Sequence, residues 1–167
     1  LDAFNSGDWE HMRAGLASDS RYEELGTERK VDGPEKIIEV YKGWKQAFPD
    51  AAGTVTSAFA SGDTAVLEVT WNGTHAGPLT TAQGTIPASG KSQKVPAAIF
   101  YTFGGDTIKE SRHYFDTLTL LKQIGVQPKQ SLPLGVQRGR PQGRPLLSGP
   151  PCAHMTWTAP SIPPARR

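Results

Sequence analysis

Helical spacing of apolar residues marks residues 1–19 and Glu35–Phe48, and strand-like alternation fills most of the stretch from there to Phe115. That order leaves few architectures open. Helices come first and a run of antiparallel strands comes after, which is the α+β pattern of a curved sheet packed on helices. Leu1, Phe4, Trp9, Met12 and Leu16 are spaced for helices over residues 1–19, with a break at Asn5-Ser6-Gly7-Asp8. Asp8 is suited to cap a second short helix from Trp9 to Leu16. The first helix has no cap ahead of Leu1 and reads as cut short. Residues 20–31 are irregular or strand-like. Pro34 then opens a helix from Glu35 to Phe48, a position where its missing N–H costs nothing. Trp44 and Phe48 lie four apart on that helix and should touch.

Strands are expected over Ala52–Ala60, Thr64–Thr74, Lys94–Phe103 and Thr107–Phe115, with turns at Ser61-Gly62-Asp63 and Gly104-Gly105-Asp106. His75 to Leu79 breaks the second of these, and a Gly/Ser-rich loop follows. Thr117–Gln123 reads as one helical turn closed by Gly125. A strongly bent sheet with helices across its mouth makes a cone with an apolar pocket.

Charge divides the chain in two. All sixteen acidic residues lie at or before Asp116, and the portion through Pro128 has a net charge of −4. The last 39 residues hold six basic groups, eight prolines and no acid. We read 1–127 as the domain and 128–167 as a Pro/Arg-rich, non-globular tail that cannot bury enough surface to order itself. A disordered tail and read-through of non-coding sequence both fit it. The overall basic surplus therefore does not indicate nucleic-acid binding. Cys152 is the only cysteine, which excludes an intrachain disulfide and fits a reducing, cytoplasmic compartment. No run of about 18 apolar residues is present, so no membrane span is expected. No strong metal-ligand spacing occurs, and neither a metal nor a cofactor is expected.

Ser111 to Gly125 is the segment richest in chemistry. An aromatic strand runs into Asp116, and alternation puts Arg112, Tyr114 and Asp116 on one face with His113 and Phe115 on the other. A carboxylate in apolar company has an easily tuned pKa, so Asp116 is the first candidate for a general acid/base. Arg112 and Tyr114 would keep it ionised and orient a carbonyl. A structural Arg–Asp pair, or a cap on the following turn, is the plain alternative. His75, in the loop after Trp71, is a candidate for the pocket rim. Trp44, Phe48 and Trp71 are candidates for an aromatic slot that takes a flat ligand, and core packing is their commoner fate. Glu68 is a conceivable second carboxylate. His11 and His154 are not candidates.

Several motifs in order resemble the SnoaL-like polyketide cyclase (ester cyclase) branch of the NTF2-like superfamily. They are Asn5-Ser6-Gly7-Asp8, Gly33-Pro34-Glu35, Phe48-Pro49-Asp50, Trp71 with Gly73 to Pro78, Gly84 and Gly90-Lys91, and Tyr114-Phe115-Asp116 with Gln123-Ile124-Gly125. The resemblance implies an α+β cone, often a homodimer, with a small apolar or aromatic carbonyl ligand. It also implies cofactor-free aldol ring closure, with the base at Asp116. The substrate delocalises its own carbanion, so a positioned base, an acid and a dry pocket suffice. Isomerase or epoxide hydrolase chemistry, and a non-catalytic binding or dimerisation module, are the alternatives. The family's accompanying histidine and glutamine belong on the strand before the aspartate, and neither occurs within Val95–Phe103. His113, predicted to face away from Asp116, ranks below His75.

Overall fold

The computed structural model describes residues 1–82 and 84–126. The tail expected over 128–167 lies outside the described residues. Two short helices, α1 (Asp2–Ser6) and α2 (Trp9–Ala14), lead into the antiparallel pair β1 (Leu16–Glu24) and β2 (Arg29–Asp32). Helix α3 (Pro34–Ala47) follows, then β3 (Ala52–Ser61) and β4 (Thr64–Thr74). A small hairpin, β5 (Leu79–Thr81) with β6 (Gly84–Ile86), precedes β7 (Ser92–Gly104), β8 (Thr107–Phe115) and α4 (Thr117–Gln123).

The sequence places these elements through identifiable local chemistry. Asp8 caps α2 by accepting the His11 N–H at 3.0 Å, as its position predicts. Pro34 occupies the first turn of α3. One expectation fails at the end of α2. Leu16 does not extend that helix, because the chain turns at Gly15 and Leu16 opens β1. The stretch expected to be irregular or strand-like holds the end of β1, a turn over 25–28 and most of β2, with Ser20, Tyr22 and Glu24 buried along one face of β1.

Six strands form one mixed sheet in the order β2-β1-β8-β7-β4-β3. β1 runs parallel to β8, and the other neighbours are antiparallel. Register shifts interrupt β3/β4 at Val55/Ser57, β7/β8 at Thr102/Phe103 and β1/β8 between Leu16 and Arg21. Each such irregularity adds local twist, and together they bend the sheet around its helices. Helix α3 lies across the concave side with Ile37, Tyr41, Ala47 and its cap Phe48 in the core. Burying each of the larger ones stabilises the fold by about 2 kcal/mol. The loop after β4 is tied to the end of α3, where Ala76 and Gly77 N–H both donate to the Ala47 carbonyl. Gly77 is required there, since a Cβ would overlap the Gln46 carbonyl oxygen. Helix α4 drops Leu120 and Ile124 into the core. Its Gln123 amide accepts from Lys94 N at 2.7 Å and donates to Lys94 O at 3.1 Å, pairing with the β7 backbone as a strand would.

Among the described residues, no helix is long and apolar enough to cross a membrane. None of them gathers three or more His, Cys, Asp or Glu that could hold a metal ion.

Candidate functional site

Between α1, α3, α4 and the concave face of the sheet lies a cavity of about 60 Å³. Its walls are largely aromatic. Phe4 comes from α1, Tyr22 from β1, Tyr41 and Trp44 from α3, Trp71 from β4 and Phe115 from β8. The rings meet edge to face, with Phe4–Trp71 centroids 5.1 Å apart and Trp44–Phe115 5.8 Å apart. Trp44, Phe48 and Trp71, the expected aromatic slot, all line it, and Trp44 and Phe48 touch at 6.1 Å.

Two polar side chains reach this wall from the strands. The first is His113, 7% exposed. Alternation along β8 works as the sequence predicts, but the inward row is Ser111, His113 and Phe115. His113 Nε2 lies 3.0 Å from the Trp71 indole Nε1, and Nδ1 lies 3.1 Å from the Tyr22 hydroxyl. Burial lowers its pKa to about 4, against a smaller upward pull from Glu24, so the ring is neutral at pH 7. The second is Gln93, on β7. That strand begins at Ser92, earlier than the sequence indicated, so it does carry a glutamine. Gln93 is 8% exposed, and its Oε1 has no hydrogen-bond partner among the described residues.

Behind the cavity stands Glu24, fully buried. Its Oε1 accepts from the Tyr22 hydroxyl at 2.9 Å and the Trp44 indole at 2.6 Å. Its Oε2 accepts from Thr27 Oγ1 at 2.8 Å, with Arg29 Nη1 at 3.4 Å. Four donors converge on one carboxylate, which is how a buried charge is kept in a protein interior. Burial, with the Glu24 charge adding to it, holds the Tyr22 hydroxyl pKa well above its ordinary value.

The other predicted residues lie elsewhere. Asp116 is exposed and caps α4, accepting from Thr119 N at 2.9 Å and Thr119 Oγ1 at 2.5 Å. Those two bonds hold its pKa below the ordinary carboxylate value. It does not line the cavity. It shares an open depression on the outer face with Glu68 and Tyr114. Arg112 stacks over Phe100, 5.5 Å from the ring centroid, on that same outer face. Tyr114 is 39% exposed beside Phe100. The expected trio of Arg112, Tyr114 and Asp116 is therefore corrected to an outward-facing row. Full charges on Arg112 and Asp116 are cheaper to leave in water than to bury. His75 is buried behind Phe48, with ring centroids 5.1 Å apart and Nδ1 3.1 Å from Ser89 Oγ. It is not on the cavity wall. Its backbone pairs with Lys91, Ser89 and Gly90, so it anchors the loop, and desolvation lowers its pKa.

The sequence profile of the SnoaL-like polyketide cyclases matches residues 1–124. No curated protein matches the chain. Among solved structures, a protein assigned to the SnoaL-like polyketide cyclases from Jannaschia sp. CCS1 is 22% identical, with a TM-score of 0.67 over 75% of this chain and 84% of that one. IdmH from Streptomyces antibioticus, a proposed polyketide cyclase, is 26% identical, with a TM-score of 0.63 over 75% of this chain and 92% of its own. A protein of ketosteroid isomerase-like fold from Catenulispora acidiphila, in complex with trimethylamine, is 20% identical, with a TM-score of 0.63 over 75% and 88%. The fold is the NTF2/ketosteroid isomerase-like cone, a curved mixed sheet closed by helices. With three-quarters of its length matched by one family profile, the chain belongs to the SnoaL-like polyketide cyclases.

Proposed function

We propose that the protein is a cofactor-independent acid/base enzyme of cyclase or isomerase type, acting on a compact apolar carbonyl compound. One observation carries this: a neutral, buried imidazole, His113, on the wall of an otherwise aromatic cavity. A base inside such a cavity acts on a substrate held away from water, and a neutral imidazole has a lone pair with which to take a proton. His113 Nε2 takes a proton from the carbon beside the carbonyl. The electron pair moves onto the carbonyl oxygen, and the Gln93 amide, whose two ends interchange by a flip, turns its N–H toward that enolate. The enolate carbon then closes a ring on a second carbonyl of the same molecule, whose oxygen takes the proton back from the imidazolium, or the imidazolium returns that proton to a different carbon of the conjugated enolate. In either case Trp71 releases Nε2. A cavity of about 60 Å³ favours a compact ligand, since drug-sized pockets run from about 300 Å³ upward.

A second reading has its own observation. Both nitrogens of His113 are already hydrogen-bonded, which suits a non-catalytic binding or dimerisation module. Exchange of ketone α-protons for deuterium, followed by NMR on ketones that raise the melting temperature, separates the two. Exchange above the buffer rate that is lost in His113→Asn supports the enzyme. Binding ketones that exchange only at the buffer rate refute it. Homodimerisation belongs to the same proposal. The outer-face row Phe59, Val66, Phe100 and Arg112 crosses four adjacent strands, and Phe59 is 65% exposed. Sedimentation across a concentration series checks it.

A further inference from the structure

The hydrogen bonds around His113 have only one possible direction. An indole N–H donates and cannot accept, so Trp71 obliges His113 Nε2 to be the acceptor. In a neutral ring the proton then sits on Nδ1 and is donated to the Tyr22 oxygen 3.1 Å away. Tyr22 in turn donates its own proton to Glu24 Oε1 at 2.9 Å. The chain Trp71→His113→Tyr22→Glu24 thus starts at a group that only donates and ends at an anion that only accepts. Every member is buried or half-buried.

Tyr22 remains protonated, because burial disfavours its phenolate, so it always has a proton to pass toward Glu24. Glu24 in turn has little freedom to turn away, since Trp44 shares its Oε1 while Thr27 and Arg29 hold its Oε2. Tyr41, on α3, packs against Tyr22 at 5.2 Å and is likewise held protonated by burial. Around His113 the described titratable and charged groups are therefore Tyr22 and Glu24 from β1, Arg29 from β2, Tyr41 from α3 and Tyr101 from β7. Of these, Glu24 is the anion to which the imidazole is connected by hydrogen bonds.

We infer that Glu24, acting through Tyr22, is the positioning residue that holds His113 as the Nδ1–H tautomer, so that Nε2 keeps its lone pair once Trp71 lets go of it and the imidazolium lies opposite a buried carboxylate. The use of that lone pair rests on the proposed role of His113. The tautomer itself does not, and it is measurable without a substrate. When Nε2 gains a proton, the Trp71 bond breaks, Nδ1–H stays on Tyr22, and the new positive charge lies one phenol away from Glu24. A carboxylate so placed favours the charged ring over what burial alone would allow.

The test removes the Trp71 end first. Long-range 1H–15N correlation spectra of the labelled full chain report the His113 tautomer at neutral pH. In Trp71→Phe nothing fixes Nε2, and only Tyr22 and Glu24 are left to choose. The expected result is a single Nδ1–H tautomer in both wild type and Trp71→Phe. In Trp71→Phe/Glu24→Gln and Trp71→Phe/Tyr22→Phe, a mixture of tautomers is expected. A mixture in Trp71→Phe alone, or a single Nδ1–H tautomer in Trp71→Phe/Tyr22→Phe, overturns the inference. The Tyr22→Phe double variant deletes one oxygen and carries the test if the Glu24→Gln double variant does not fold. A failed tautomer experiment leaves His113 catalysis standing. Failed α-proton exchange leaves the tautomer coupling standing.

Discussion

Phe4→Ala probes the cavity and its thinnest wall at once. Phe4 is 4% exposed and is the single buried residue of the five-residue helix α1. It meets Trp9, Tyr41 and Trp71 edge to face with centroids 6.2, 5.7 and 5.1 Å away, and Lys45 Nζ sits 5.1 Å over the ring. Removing the burial forfeits about 2 kcal/mol. Three aromatic pairs add about 0.5–1 kcal/mol each. The expected loss is about 4 kcal/mol, within the range found for Phe→Ala in cores. For a fold of this size that lowers Tm by about 15 °C. The hole opens directly into the existing cavity, so the two volumes merge into a dry, aromatic-walled space. A small ring such as benzene should fill it. Thermal denaturation with and without saturating benzene is therefore the assay. The variant should recover several degrees, and the wild type, whose cavity is about 60 Å³, should gain much less. A loss below about 1 kcal/mol, or equal benzene shifts in both proteins, would refute the described packing of α1 over the cavity.

Two further outcomes concern the buried and exposed titrating groups. His113 titrates at about 4 in the fold and near 6.5 when unfolded, so the unfolded chain binds more protons between these values and stability falls as pH drops through that window, by about 3 kcal/mol in all. Urea unfolding at pH 7 and pH 4.5 should show this acid loss shrinking in His113→Asn, and an unchanged pH slope would refute the burial. Asp116→Ala should destabilise α4 by removing its cap yet leave ketone binding unaltered, and the folded Asp116 carboxylate, with its pKa lowered, contributes stability that is present above its unfolded pKa and lost as pH falls through its folded one. Weaker ketone binding in a folded Asp116→Ala would restore Asp116 as a site residue.

The architecture was legible because its signals are local. Asp8, Pro34 and the Gly104-Gly105-Asp106 turn each specify their own neighbourhood. The parallel pairing of β1 with β8 is not local, and no pattern in either strand announces it. The site shows the same division. Alternation sorted β8 into its two rows, but chemical richness favoured Arg112, Tyr114 and Asp116, when the row without a full charge, Ser111, His113 and Phe115, is the one an apolar core accepts. That cost of burying charge was available from the sequence. Glu24 was not recoverable in the same way, because its four donors come from residues 22, 27, 29 and 44, and only folding brings them together. Gln93 lies outside the strand that the sequence pattern marks, because β7 starts at Ser92, two residues before Lys94.

The pairing of the Gln123 side chain with Lys94 has a consequence for handling the protein. β8 ends at Phe115 opposite Ala97, so β7 from Ser92 to Pro96 has no strand on that side. One glutamine amide, held by a helix of seven residues, stands in for the missing neighbour. The same helix supplies Leu120 to the cavity wall. Proteolytic trimming back to Asp116 would bare an unpaired strand edge and an aromatic hollow side by side, the two surfaces by which β-proteins stick to one another. The last turn of the described fold is thus its guard against self-association through this edge, and any shortened version should keep residues 117–126.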